Sequence, residues 1–282
     1  MMSWRRFGRL MAVGMTIAIA APAFASAHQI EAPAATAPAG YKIVRDTQFQ
    51  APPGMFDAGG QVTCPTGTVV WGGGVGNDFQ NGTINTSGFV GSVGWHARVN
   101  NNAGSTENFE IDAICAKKPS LYKTVNHQID DPAGTQRSGS ATCPTGTVLL
   151  SGSVLSDGDT TNVYLTSAWP NGQHKFTADQ ENKSSMDEPF TVSAICATKP
   201  AGYSIVRVTQ TAGSGGGLVV PESYCAAGRS VIGGGIQVST PNPATDISMS
   251  LVGSGTTNAW LGVVQNTGTT SVNVTASTIC AS

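Results

Sequence analysis

Hydrophobic and polar residues alternate along most of this chain. Phe109, Ile111, Ala113 and Cys115 alternate with Glu110, Asp112 and Ile114. The order returns as Phe190, Val192, Ala194, Cys196 and again as Val274, Ala276, Thr278, Cys280. A period of two, rich in β-branched and aromatic residues, predicts strands with one buried and one wet face. Trp95, Ala97 and Val99, and likewise Trp260, Gly262 and Val264, predict a second such strand. Further strands are expected around 41–47, 60–64, 68–75 and 83–90. The isoleucine before each cysteine breaks the alternation, which predicts that this end of the strand is covered on both faces. No stretch of a dozen residues shows helical spacing with caps.

The strands come in three near-copies. Tyr41, Tyr122 and Tyr203 open them at intervals of 81 residues. Each continues with a Cys-Pro-Thr-Gly turn (Cys64 to Gly67, Cys143 to Gly146) or Cys225-Ala226-Ala227-Gly228. A small-residue run follows: Gly72-Gly73-Gly74, Ser151-Gly152-Ser153, Gly233-Gly234-Gly235. Trp95, Phe176 and Trp260 are equivalent, Asn101, Asn182 and Asn266 lie six residues later, and the closing cysteine is 14 residues beyond each asparagine. A glycine run followed by more strand, with no helix and no lysine, is not a phosphate loop; it reads as a place where another backbone comes close. The expected fold is therefore all-β: three tandem antiparallel β-sandwich repeats of about 80 residues, at 41–119, 120–200 and 201–282. Two arrangements are open, a pseudo-threefold packing of the three sandwiches and a single β-prism-like domain.

Composition sets the compartment. Residues 1–27 read as an export signal, with Arg5, Arg6 and Arg9, an apolar run from Leu10 to Ala21, and small residues at Ala25 and Ala27. Cleavage after Ala25 is the other option. Residues 28–40 are Ala/Pro-rich and read as a semi-extended lead-in or spacer, with an unstructured mature N-terminus expected. Formal charge is −2 for the whole chain and −5 without the three leader arginines, which speaks against nucleic-acid and anionic-membrane partners. No later segment is apolar enough for membrane insertion. The chain is expected outside the cytoplasm, secreted or at the cell surface, in an unspecified oligomeric state.

Six cysteines in an exported chain, two per repeat, imply three disulfides. The repeat leaves two periodic schemes. One closes each repeat on itself (Cys64–Cys115, Cys143–Cys196, Cys225–Cys280). The other links neighbours (Cys115–Cys143, Cys196–Cys225) and closes the ring through Cys64 and Cys280. The first is expected, because a unit of this size buries a modest core and gains most from its own staple. A cross-linked loop of about 50 residues is worth roughly 4 kcal/mol in the chain-entropy model.

In that order, Tyr-x-x-Val, Cys-Pro-x-Gly, Gly-Gly-Gly, Gly-Trp, Asn and Ala-Ile-Cys-Ala resemble a repeat of exported proteins of actinobacteria and related bacteria. There it often stands as a single copy at the end of a collagen-like stalk. The likeness covers residues 41–282 and implies no activity. If stalk-borne copies gather in threes, it implies a built-in pseudo-trimer here. Ala226, Phe176, Ser151 and Ser153 depart from the pattern.

Chemistry is sparse. There is no nucleophile elbow and no His-Glu-x-x-His, the cysteines are assigned to disulfides, and His96, His127 and His174 occupy different places in different repeats. Asp157-Gly158-Asp159 reads as a polar turn rather than a calcium loop. Asp130-Asp131 and Asp187-Glu188 are sequence neighbours and on a strand face opposite ways, unlike a glycosidase pair. No catalytic residue, metal ligand or cofactor is expected. The candidate ligand contacts are Trp169 and His174, flanking the Pro170-Asn171-Gly172 turn at a loop tip that other repeats build from Gly88 or Gly253. The expectation is a non-catalytic exported binding or surface-associated protein that contacts glycan or extracellular protein through its loops. The alternatives are an exported hydrolase with a site between repeats and a structural coat protein.

Overall fold

The computed structural model describes residues 29–31, 37–77, 82–158, 160–240, 244–253 and 258–282. The leader, His28, residues 32–36 of the lead-in and Asp159 lie outside these. After a short β1 (Gln29–Glu31), the first repeat folds as β2 (Lys42–Ala51), β3 (Ala58–Thr63), β4 (Val69–Asn77), β5 (Gly82–Val90), β6 (Gly94–Asn101) and β7 (Glu107–Ala116). The second gives β8 (Lys123–Ile129), β9 (Thr135–Thr142), β10 (Val148–Ser156), β11 (Val163–Pro170), β12 (Lys175–Asn182) and β13 (Phe190–Ala197). The third gives β14 (Ser204–Ala212), a broken strand β15 (Gly217–Val219) and β16 (Glu222–Tyr224), then β17 (Ser230–Val238), β18 (Thr245–Val252), β19 (Ala259–Asn266) and β20 (Val272–Ala281).

No sheet belongs to one repeat. Sheet 1 runs β1-β2-β7-β4-β18-β19-β15, with β16 also on β19. Sheet 2 runs β3-β6-β5-β10-β13-β8, and sheet 3 runs β14-β20-β17-β11-β12-β9. Each repeat therefore gives three strands to one sheet and three to another. At each seam, the third strand of one repeat meets the fourth strand of its neighbour. The chain is thus all-β with three antiparallel units, as expected, and neighbouring units share a sheet at each seam. β4, β10 and β17 touch one another around an approximate threefold axis, as do β5, β11 and β18.

The recurring residues hold this ring. Cys64 pairs with Cys115, Cys143 with Cys196 and Cys225 with Cys280. In each pair one cysteine follows a strand of one sheet and the other lies in the adjoining sheet, so each disulfide ties two walls together. The phenol of Tyr41 donates to the Val231 carbonyl (2.7 Å), Tyr122 to Val70 (2.6 Å) and Tyr203 to Leu149 (2.8 Å), always one repeat back around the ring. These carbonyls mark the start of a β-bulge in β4, β17 and β10 alike. Burial holds the Tyr122 and Tyr203 phenols well above their ordinary pKa. The isoleucines that broke the alternation, Ile114, Ile195 and Ile279, are fully buried. Asn101, Asn182 and Asn266 each brace the hairpin after them: their amides donate to Ser105, Met186 and Thr270 carbonyls, and each also reaches back to the loop after the repeat's first strand.

The small-residue runs are read at three different contacts. A Cβ on the middle residue would fall 2.4 Å from the Trp95 ring at Gly73, 1.9 Å from Phe176 at Gly152 and 2.3 Å from Trp260 at Gly234. That position is glycine in every copy. At the first position, a Cβ on Gly72 would lie 3.1 Å from the Ser151 Cβ and one on Gly233 2.8 Å from it, so the crossing of the three strands has room for one side chain. At the third, Gly74 faces Leu251 and Gly235 faces Trp169, whereas Ser153 faces Gly88. The small partner has changed sides at that seam. Phe176 follows the same logic: Trp95 and Trp260 donate their indole N–H to Ser87 (3.0 Å) and Ser250 (3.1 Å), and Phe176, which has no N–H, meets Ala168 at the equivalent place. The cavity between these rings is about 30 Å³, too small for anything beyond an ordered water.

Candidate functional site

Because side chains alternate, the residues between those lining the axis point outward. On each sheet the fourth and fifth strands of one repeat present four equivalent outward positions, fixed by register. Sheet 3 carries Ser167, Trp169, Thr177 and Asp179. Sheet 2 carries Thr86, Gly88, His96 and Arg98. Sheet 1 carries Met249, Leu251, Leu261 and Val263. The same scaffold thus shows an aromatic and acidic face, a basic one and an aliphatic one.

The sheet 3 face is hollowed. Trp169, Thr177 and Asp179 form the floor of a groove of about 490 Å³, walled by His127, Ser138, Ser140, Asn171, Lys175, Gln237 and Ser239. Trp169 lies within β11 rather than at a loop tip and is 8% exposed. Its register counterparts are Gly88 and Leu251, while Gly253 stands in the turn after β18 where the second repeat has Asn171. Its seat depends on Gly235, whose Cβ would lie 2.8 Å from the Trp169 Cα. The indole makes no hydrogen bond among the described residues.

Asp179 is the groove's one carboxylate and is almost fully buried. Burial raises its pKa above the ordinary carboxylate value, opposed by hydrogen bonds from the Ser138 and Ser167 hydroxyls. The Ser167 oxygen in turn accepts from the Val238 N–H (3.1 Å), so the acid is held from across the seam between repeats. The Asn171 amide donates to the Thr177 hydroxyl (3.3 Å). His127 donates from Nδ1 to the Ser140 carbonyl (3.0 Å), which leaves Nε2 for a ligand. Around Trp169, the site gathers acceptors and donors at fixed positions.

His174 is not part of it. Its Nδ1 is used on the Thr147 carbonyl (2.8 Å), and its own carbonyl takes the Cys143 N–H, a brace that Val93 and Asn258 provide in the other repeats. Sequence reasoning missed Asp179, Thr177 and His127. The signal was present in register: Asp179, Arg98 and Val263 share one position and have no chemistry in common.

The remaining candidates brace loops. Asp131 accepts from Thr135 and Gln180, and Asp187 accepts from the Ala133 N–H. His96 is half-buried, and burial, then Arg98, lowers its pKa. Among the described residues no group of His, Cys, Asp and Glu is arranged for a metal ion, and no helix is long and apolar enough to cross a membrane. Three formed disulfides indicate an oxidising, extracellular environment. No protein-family model matches the chain, and no curated protein matches it at a significant level.

Proposed function

We propose that this is an exported, non-catalytic glycan-binding protein, secreted after removal of residues 1–27, and that the sheet 3 groove is its ligand site. The observation that carries the reading is a buried indole and a buried carboxylate side by side on the floor of one polar groove. A sugar ring offers an apolar face to an aromatic side chain and hydroxyl donors to a charged acceptor. Asp179, Thr177, Asn171 and His127 supply that polar set around Trp169. Glycoside hydrolysis takes two carboxylates flanking the bond, and Asp179 is alone among the groove's lining residues, which favours binding over cleavage.

A glycan array probed with the full mature chain tests this. Binding to a defined glycan should fall at least about tenfold in Trp169→Ala and in Asp179→Asn. His174→Ala should bind as the parent does. No glycan binding, or binding indifferent to Trp169→Ala in a variant with a native circular dichroism spectrum, ends the proposal.

A further inference from the structure

One sheet edge is filled by the chain itself. β1 lies antiparallel on the outer side of β2, with Gln29 opposite Arg45, Ile30 opposite Val44 and Glu31 opposite Ile43. The equivalent first strands of the other repeats, β8 and β14, end their sheets, with no strand on that side among the described residues. β14 repeats the acceptor sequence: Ile205-Val206-Arg207 stands where β2 has Ile43-Val44-Arg45. The likeness extends to contacts, since Arg207 donates to the Pro170 carbonyl (3.0 Å) as Arg45 does to Val252 (2.7 Å), each the last residue of its strand. β8 differs, carrying Thr124-Val125-Asn126. Ile43, Val44 and Arg45 are buried, whereas Ile205 and Val206 are half-buried and Arg207 is exposed.

From these observations we infer that the open edge of β14 receives an extended peptide from another extracellular protein, with a polar, a branched apolar and an acidic residue in that order, as in Gln29-Ile30-Glu31. An unpaired edge offers a row of main-chain donors and acceptors, and an added strand satisfies them while side-chain pockets set the sequence preference. A second copy of this chain is a poor donor. Its own lead-in is tethered beside β2 at an effective concentration on the order of millimolar, so it remains there at ordinary protein concentrations.

The probe is a fluorescent peptide of residues 28–33 (His-Gln-Ile-Glu-Ala-Pro) titrated into the chain from residue 28 onward, with β2 already occupied. Saturable binding is expected with a dissociation constant on the order of 0.1–1 mM, the range of a small, weak interface, with slowed hydrogen exchange confined to residues 205–207. The double change Ile205→Thr, Arg207→Asn gives β14 the β8 sequence and should weaken binding at least about fivefold. The reciprocal Thr124→Ile, Asn126→Arg should add a second site on β8. The inference is overturned by absence of saturable binding, by protection mapping to β8 or the groove instead, or by transplants that change nothing. Self-association of the chain that disappears on removing residues 28–36 would also overturn it, in favour of a second copy.

Discussion

The outward faces of sheet 1 and sheet 3 are built on one plan and behave differently. On sheet 1, Arg45 makes a bidentate ion pair with Asp112 (2.7 and 2.8 Å) and reaches Val252, beside a Leu251 packed against Gly74. On sheet 3, Arg207 reaches Pro170 in the same way, but the place of Asp112 is taken by Ser277 and that of Leu251 by Trp169. The first face is filled by side chains and the second carries the groove. The common frame is main chain, glycine and disulfide. The differences lie in side chains that the frame does not need, which is why one sheet could acquire a groove without disturbing the other two.

The comparison can be broken at several points. The largest effect should come from Arg45→Ala, which leaves Asp112 buried without its partner and should cost about 3–5 kcal/mol in denaturant unfolding. Arg207→Ala removes an exposed side chain at the matching position and should cost about 1 kcal/mol or less. Equal costs would mean that the two faces are held alike. Next, Gly235→Ala puts a Cβ 2.2 Å from the Ala168 carbonyl and should destabilise by about 3 kcal/mol with loss of the groove. Gly88→Ala, whose nearest obstacle is the movable Leu155 methyl at 2.6 Å, should cost about 1 kcal/mol or less.

A smaller effect depends on pH. Asp246, the second residue of β18, lies close to Tyr164 and Lys183, where sheets 1 and 3 approach, and burial pushes its pKa up to about 6 from 3.8, with Lys183 opposing. Between those values the folded state holds more protons than the unfolded one. Stability should therefore fall as pH rises from about 4 to about 6. Asp246→Asn removes this loss: it should gain about 1–2 kcal/mol above pH 6 and nothing below about pH 4, read from urea unfolding at stepped pH. Smaller still is a repair experiment on the axis. Phe176→Trp alone buries an indole N–H against Ala168 and should cost about 2 kcal/mol, of which Ala168→Ser should restore about 1. No recovery in the double variant would show that the Trp95–Ser87 and Trp260–Ser250 pairs contribute little.

Much of the frame could be read from the residues. Period-two alternation placed the strands around Phe109 to Cys115 and its copies, and the spacing of tyrosine, asparagine and cysteine marked the repeats. The joining of neighbouring repeats into shared sheets was not legible. Pairing of β4 with β18 joins residues about 175 positions apart in the chain, and no local pattern encodes a partner at that distance. The departures Ser151, Ser153 and Phe176 did carry that information, but each is intelligible only beside the residue it meets: the two glycines of the crossing, Gly88 and Ala168. For the candidate site, an aromatic beside a turn singles out Trp169 and His174, of which only Trp169 lines the groove. Asp179 went unnoticed because its neighbours in space come from β9, β11 and β17.

The closure of sheet 1 by β18 bears on the order in which the chain acquires its structure. The first repeat is made first, and its third strand can pair with β7 at once, yet its other edge stays unpaired until residues 245–252 arrive. An isolated repeat would expose two bare seam edges, so no single repeat is a self-sufficient folding unit. Truncation after the second repeat should therefore leave an aggregation-prone intermediate rather than two-thirds of a working protein.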